Sequence, residues 1–318
     1  MAQGIGSLYP HGKAVIERVC VFGATGLLGT ALIAALHKAG HVVTAFSRTR
    51  YADRPGFAHW DPPAGTIDAA RLHGADAVVN FAGESLGDGR WTDARKQRLI
   101  NSRVLATELI AGALAKLPVR PAVFVNASAV GFYGDRGDDA VYEDSPRGDG
   151  FLAELAERWE QATAPAVEAG IRVVLPRYGV VLSREGGALP KMVTPFKLGL
   201  GGRLGSGEQR MPWVALADAI GATAFAMRHA ELSGPVNVVA PEGVSNELFA
   251  DTLAAVLHRP AAIPVPAFVL KARLGAQMAR ELLLTGANVR PKKLEEAGYR
   301  FELPRLQDAL EALFQTAS

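Results

Sequence analysis

The chain has 318 residues, 49% hydrophobic and 21% charged, the balance of an ordinary soluble globular protein with room for one large domain or a core domain plus a smaller one. Its charges nearly cancel, to a formal net +2, which argues against nucleic acid or an anionic membrane as the main partner while leaving local basic residues free to hold a phosphate. Cys20 is the only cysteine, so an intramolecular disulfide or a cysteine-built metal site is excluded, and a reducing, cytoplasmic compartment is the expectation.

Residues 1–17 combine Gly, Pro and polar residues without a signal-peptide apolar core, and are expected to form a flexible leader. Arg18–Phe22 reads as a buried strand and Leu27–Ala39 as a helix ended by Gly40. Val42–Phe46 is the next strand, followed by a polar loop through Trp60. Ala77–Phe81 is a further strand, and Asp93–Lys116 a charged helix closed by Pro118. Val123–Ala127 and Arg172–Pro176 repeat the strand pattern on either side of a helix over Phe151–Ala169. Strands separated by helices of this length predict βαβ units, and so an α/β fold: a Rossmann-type, doubly wound parallel sheet. That domain is expected over 18–240, with substrate-side insertions from about residue 183. A smaller, mainly helical C-terminal domain is expected over 241–318, with a boundary near Pro260–Pro266. No apolar run approaches the length of a membrane span. His37 and His41 flank the helix end at Gly40 and need not share a face, so no metal site is expected.

The sharpest local signal is Gly23-Ala-Thr25-Gly26-Leu27-Leu28-Gly29, which follows a predicted strand and opens a predicted helix. Here the first glycine permits a tight turn, the second lets backbone approach a pyrophosphate, and the third lets the helix pack on the sheet. Phosphates are expected on the free N–H groups of Leu27 and Leu28. The second strand ends in Ser47-Arg48 rather than in the carboxylate that binds the 2′-hydroxyl of NAD. A guanidinium grips a 2′-phosphate that a carboxylate would repel, so NADP(H) is the expected cofactor.

With these residues in view the chain resembles the extended, atypical short-chain dehydrogenase/reductase superfamily. More closely it is similar to epimerase-family proteins described as NADP-dependent oxidoreductases or sugar-nucleotide epimerases. In order, the motifs are GATGLLG at Gly23, SR at Ser47, NFAGE at Asn80, RW at Arg90, SR at Ser102, ASAVGFYG at Ala127 and WE at Trp159. They continue with PRYGVVLSREGGALPKM at Pro176, PFKLGLGGRLGSGEQRMPW at Pro195, RP at Arg259 and LLLTGANVRPKKLEEAGYRF at Leu282, the last resembling a small C-terminal domain of unknown function. The resemblance implies that Phe81, Ala82 and Gly83 line the cofactor, that Arg103 faces the same cleft, and that the loop after Arg177 approaches the nicotinamide.

The superfamily's chemistry uses a serine after the fifth strand and a Tyr-x-x-x-Lys on the next helix. Ser128 fits the serine. Phe151 and Leu155 stand where the tyrosine and lysine belong, so the usual mechanism does not transfer. Tyr133 is the nearest stand-in, either as proton donor or as a shaper of the pocket, and Glu84 is a second acid or base on the substrate side. Gly199–Gly207 reads as a flap over the pocket or as an exposed hairpin, with Arg203 and Arg210 placed to meet an anionic substrate. Ala215 stands where relatives carry a histidine. Three readings stay open: an NADP-dependent oxidoreductase acting on a small polar or nucleotide-linked substrate, an NADP-binding sensor or scaffold, and a sugar-nucleotide epimerase or dehydratase. Superfamily members pair through helices flanking the sheet, which leaves a homodimer open.

Overall fold

The structure is a computed structural model and describes residues 16–48, 54, 56–261 and 263–314. In chain order the elements begin β1 (Arg18–Phe22), α1 (Leu27–Lys38), β2 (Val42–Ser47), β3 (Phe57–Asp61), β4 (Thr66–Ile67), β5 (Ala77–Asn80), α2 (Asp93–Ala115), β6 (Val123–Asn126), β7 (Ser128–Ala129) and β8 (Ala140–Val141). They continue with α3 (Phe151–Gln161), α4 (Ala164–Glu168), β9 (Arg172–Tyr178), β10 (Val180–Leu182), α5 (Leu189–Lys197), β11 (Trp213–Ala215), α6 (Leu216–Arg228), β12 (Gly234–Val238) and α7 (Asn246–Leu257). The C-terminal part holds α8 (Ala267–Leu274), α9 (Ala276–Ala279), a π-helical turn at Arg280–Leu284, β13 (Asn288–Val289), α10 (Lys292–Glu296) and α11 (Leu306–Phe314).

Nine strands form the main sheet in the order β12-β9-β6-β5-β1-β2-β3-β4, with β7 added beside β9. Every pairing is parallel except β3 with β4. From β1 the chain winds outward through β2 and β3, then crosses back to β5 and winds the other way. The strand order therefore reverses between β1 and β5, where α/β sheets open a crevice at their carboxyl ends.

Alternation along the strands divides the core. Val19 and Val21, Ala77 and Val79, and Val123 and Val125 face one side, where Leu32 and Leu36 of α1 and Ala219 and Ala222 of α6 cover them. Cys20, Phe22, Val78 and Phe124 face the other, under Ala106, Ile110 and Leu114 of α2. Both faces are covered, so the central strands are apolar at nearly every position.

Three expectations need correction. The stretch before Trp60 is not a loop: β3 pairs with β2 and buries Ala58 and Trp60 with His59 outward, an alternation too short to stand out in the sequence. The helix expected over Phe151–Ala169 breaks after Gln161 and restarts as α4 with Pro165, which lacks an N–H, in its first turn. Of the expected leader, residues 1–15 lie outside the described residues, whereas Ile16 is buried in the core and Glu17 donates its N–H to Asp76 at 2.8 Å.

The C-terminal segment interlocks with the rest of the chain. Leu306 and Leu310 of α11 share a core with Phe249 and Leu253 of α7 and with Trp213 of β11, while Leu294 joins the α1–α6 side of the sheet. The buried Asp218 accepts hydrogen bonds from the N–H groups of Glu302 (2.7 Å) and Leu303 (3.0 Å) and from the Tyr299 hydroxyl (3.2 Å). β13 pairs with β8.

Candidate functional site

At the β1–β5 crevice the first and third glycines of the loop have no room for side chains. Gly23 takes φ +71°, and a Cβ there would lie 2.7 Å from the carbonyl carbon of Phe81. At Gly29 a Cβ would lie 2.2 Å from the Gly23 oxygen, so α1 sits directly against the turn. Gly26 is the N-cap of α1 and has no capping side chain, and the first turn holds no acidic residue. Thr25 and Gly26 are exposed and Leu27 and Leu28 half-buried, so the start of α1 is open to an anion. Ser47 ends β2 half-buried, with Arg48 exposed beside it. This cradle fits a dinucleotide: only glycines allow the backbone approach, and the helix dipole favours the pyrophosphate.

Phe81, Ala82 and Gly83 continue from β5 along the same crevice, and Asn80 sets their path. Its Oδ1 accepts the Ala82 N–H at 3.0 Å, while its Nδ2 donates to Asn126 Oδ1 (2.7 Å) and Thr107 Oγ1 (3.1 Å). Trp159 Nε1 closes the network by donating to Thr107 Oγ1 at 3.1 Å.

Beyond the crevice lies a cavity of about 570 Å³ between the Rossmann core and the C-terminal segment. Its walls come from α3 (Leu152, Leu155, Ala156, Trp159), the loops around Gly131, Asp135 and Asp149, the 209–212 stretch and the 280–287 stretch, with Arg103 at one side.

Several sequence-derived candidates are committed to other partners. Tyr133 has no exposed surface; its hydroxyl donates to Asn237 Oδ1 at 2.6 Å and accepts from Arg177 Nη1 at 2.9 Å. Burial, opposed by Arg177 and Asn237, pushes its pKa up to about 12. It is a buried support, and its expected part as proton donor does not fit this geometry. Tyr133→Phe is expected to cost about 1–3 kcal/mol of stability, because Asn237 Oδ1 loses its donor, and to leave cofactor affinity unchanged; urea denaturation and calorimetry check both. Arg177 is likewise buried beneath the site rather than turned to a nicotinamide: its Nε and Nη2 each reach Glu160 at 2.8 Å, and it stacks over Phe132 with Cζ 3.5 Å from the ring centre. Ser128 Oγ donates to Glu160 Oε1 at 2.6 Å, so the serine belongs to this buried network.

Glu84 is ion-paired with Arg95 and is not a free acid or base. Arg203 pairs with Glu247 at 2.6 Å and does not itself line the cavity. Arg210 does line the cavity, but its Nε is paired with Asp138 at 2.6 Å. The 199–207 stretch is not a free flap: Arg203 O accepts from Val265 N and Gly205 N donates to Val265 O, both at 2.9 Å, and Asn246 Oδ1 holds Leu204 N at 2.7 Å.

Phe151 and Leu155 pack with Leu99, as expected of a helix that lacks the tyrosine and lysine. What reaches the start of α3 instead is Glu281, whose Oε2 accepts the Leu152 N–H at 2.9 Å while Gln277 donates to Oε1 at 3.0 Å. Glu281, and the cavity-lining Asp135 and Asp149, went unnoticed in the sequence, because only the fold brings these loops to α3. Among the described residues no group of three or more His, Cys, Asp or Glu side chains could hold a metal ion, and no helix is long and apolar enough to cross a membrane.

Comparison with known proteins places this geometry. The model of the NAD dependent epimerase/dehydratase family matches residues 19–239, and that of a domain of unknown function, DUF1731, matches residues 265–313. An epimerase family protein of Mycobacterium tuberculosis is 42% identical over 292 residues, covering 92% of this chain and 96% of its own length. The crystal structure of the human epimerase family protein SDR39U1 (isoform 2) with NADPH superposes with a TM-score of 0.87 at 38% identity, over 95% of this chain and 100% of that one. A nucleoside-diphosphate sugar epimerase from Corynebacterium glutamicum superposes with a TM-score of 0.78 at 34% identity, over 94% of this chain and 58% of that one. The glycine cradle at the strand crossover, the matched core and the matched C-terminal segment together make this chain a member of the NAD dependent epimerase/dehydratase family of extended short-chain dehydrogenases/reductases.

Proposed function

We propose that the chain is an NADP-dependent oxidoreductase acting on a small polar substrate bound in the 570 Å³ cavity. The observation that carries this reading is the side-chain-free cradle of Gly23, Gly26 and Gly29, which runs along Phe81–Gly83 toward that cavity. The N–H groups of Leu27 and Leu28 hold the pyrophosphate, and Arg48 with Ser47 holds the 2′-phosphate. The bound cofactor supplies or takes up a hydride. Leu152, Leu155 and Met211 exclude water from the inner wall, and Asp135 and Asp149, exposed in the lining, offer carboxylates for proton exchange at the rim. The human relative's structure with NADPH supports the choice of cofactor.

Arg48→Ala is expected to weaken NADPH binding by ten- to a hundredfold, a loss of about 1.4–2.8 kcal/mol, with NADH binding unchanged. Calorimetric titration of cofactor-free protein measures both. Substrate-dependent loss of NADPH absorbance tests the reaction. A second reading, an NADP-binding sensor without chemistry, is favoured by the buried Tyr133 hydroxyl and by the packed Phe151 and Leu155. NADPH binding without turnover across a broad substrate screen would select it.

A further inference from the structure

Five arginines line the cavity: Arg103, Arg136, Arg147, Arg210 and Arg280. Arg147, Arg210 and Arg280 each have a carboxylate within 4 Å, in Glu157, Asp138 and Glu281. Arg136 donates instead to the carbonyls of Tyr133 and Pro146, beside the exposed Asp135. Arg103 stands apart in being only 7% exposed while, among the described residues, no carboxylate lies within ion-pair distance of it.

Its guanidinium is held firmly but incompletely. Nη2 donates to Glu84 O at 2.9 Å and Nη1 to Leu99 O at 3.2 Å, with Ser102 Oγ at 3.5 Å, and the plane lies over Trp159 with Cζ 5.1 Å from the ring centre. Among the described residues no acceptor takes the Nε–H. A Cβ at Gly83 would sit 3.0 Å from Cζ and 3.2 Å from both Nε and Nη2, so it would lie over the face of the guanidinium. Glycine at this position therefore leaves that face clear, and the Nε–H stays open to an incoming acceptor. Burial draws the Arg103 pKa down to about 10, partly offset by the nearby Glu84 charge, whose own ion pair is with Arg95. A buried cation whose nearest carboxylate is already paired elsewhere gains from a further negative charge, and the Nε–Nη2 edge matches the two oxygens of a carboxylate or phosphate.

We infer that Arg103 is the anion anchor of the substrate cavity, and that the substrate is a small organic anion with an apolar body. The acid group meets the Nε–Nη2 edge, while Leu152, Leu155 and Met211 take the body. This inference rests on the adjoining crevice being the NADPH site. It also replaces Arg203 and Arg210, both already ion-paired, as the source of anion recognition.

The test is calorimetric titration of the NADPH-loaded protein with benzoate, phenyl phosphate and the neutral isostere benzamide, followed by the same titrations of Arg103→Met and Arg103→Lys. Benzoate or phenyl phosphate is expected to bind at least tenfold more tightly than benzamide, and the better of the two identifies carboxylate or phosphate as the acid group. Arg103→Met is expected to abolish that preference, and Arg103→Lys to restore part of it, with NADPH affinity unchanged in both. Equal binding of all three probes, no binding of either anion, or anion binding unaltered by Arg103→Met overturns the proposal. So does a loss of NADPH affinity in Arg103→Met with anion binding intact, which would assign the arginine to the cofactor. Wild-type protein that fails to take up NADPH at all refutes the cofactor reading instead, and is seen before any probe is added. Arg103→Lys keeps the charge and so separates loss of the site from loss of the fold.

Discussion

Gly29→Ala is expected to weaken NADPH binding at least a hundredfold, about 2.8 kcal/mol, and to lower stability by about 1–3 kcal/mol. A Cβ at this position would meet the Gly23 oxygen at 2.2 Å and the Ala24 Cα at 2.9 Å. Both are backbone atoms, so no rotamer change relieves the clash. Either α1 moves off the turn or the turn itself opens, and in each case the N–H groups of Leu27 and Leu28 leave the position from which they are proposed to meet the pyrophosphate. Gly112→Ala in α2 is the control: a Cβ there meets nothing within 4 Å, and alanine is preferred over glycine in a helix by about 1 kcal/mol. That variant should match or exceed wild-type stability and bind NADPH normally. Calorimetry and urea denaturation of the two variants read both effects.

The second large effect is expected beneath the cavity. Arg177→Met should destabilise the fold by about 3–5 kcal/mol, because it strands the Glu160 carboxylate in a site where the two paired side chains are only 3% and 10% exposed. Burial works against the Arg177 charge, but Glu160, with a smaller contribution from Tyr133, outweighs it and holds the guanidinium above its ordinary value. Among the described residues, Ser128 Oγ would be the one remaining side-chain donor to Glu160. The double variant Glu160→Leu/Arg177→Met removes both charges and should recover most of the loss. NADPH affinity of the folded fraction should not change. If Arg177 met the nicotinamide, as the resemblance implied for the loop that follows it, affinity would fall along with stability.

The sheet was legible because its signals are local. Five strand segments and the glycine turn each carry their pattern within a few residues, and Gly23 and Gly29 state a backbone requirement that no other residue meets. β3 was not legible, since its burial pattern covers only five residues and depends on β2 lying beside it. The turn and strand end proposed to hold the cofactor could be located from sequence for the same reason, since the structure places Gly23–Gly29 and Ser47 at the strand crossover as the pattern predicts. The substrate half could not. Ser128, Tyr133 and Arg177 sit where chemistry is expected along the chain, yet whether a side chain faces a cavity or a neighbouring carboxylate is decided by Glu160, 17 to 32 residues away, and by Asn237, 104 residues from Tyr133. Glu281 reaches the start of α3 from 129 residues further along the chain, and no local pattern marks it.

The most direct test of the account is titration of wild-type, cofactor-free protein with NADPH and with NADH in the same buffer. Binding of NADPH at least ten times tighter than NADH is the result predicted by the glycine cradle together with Arg48. A folded protein that binds neither nucleotide, or that prefers NADH, would contradict it.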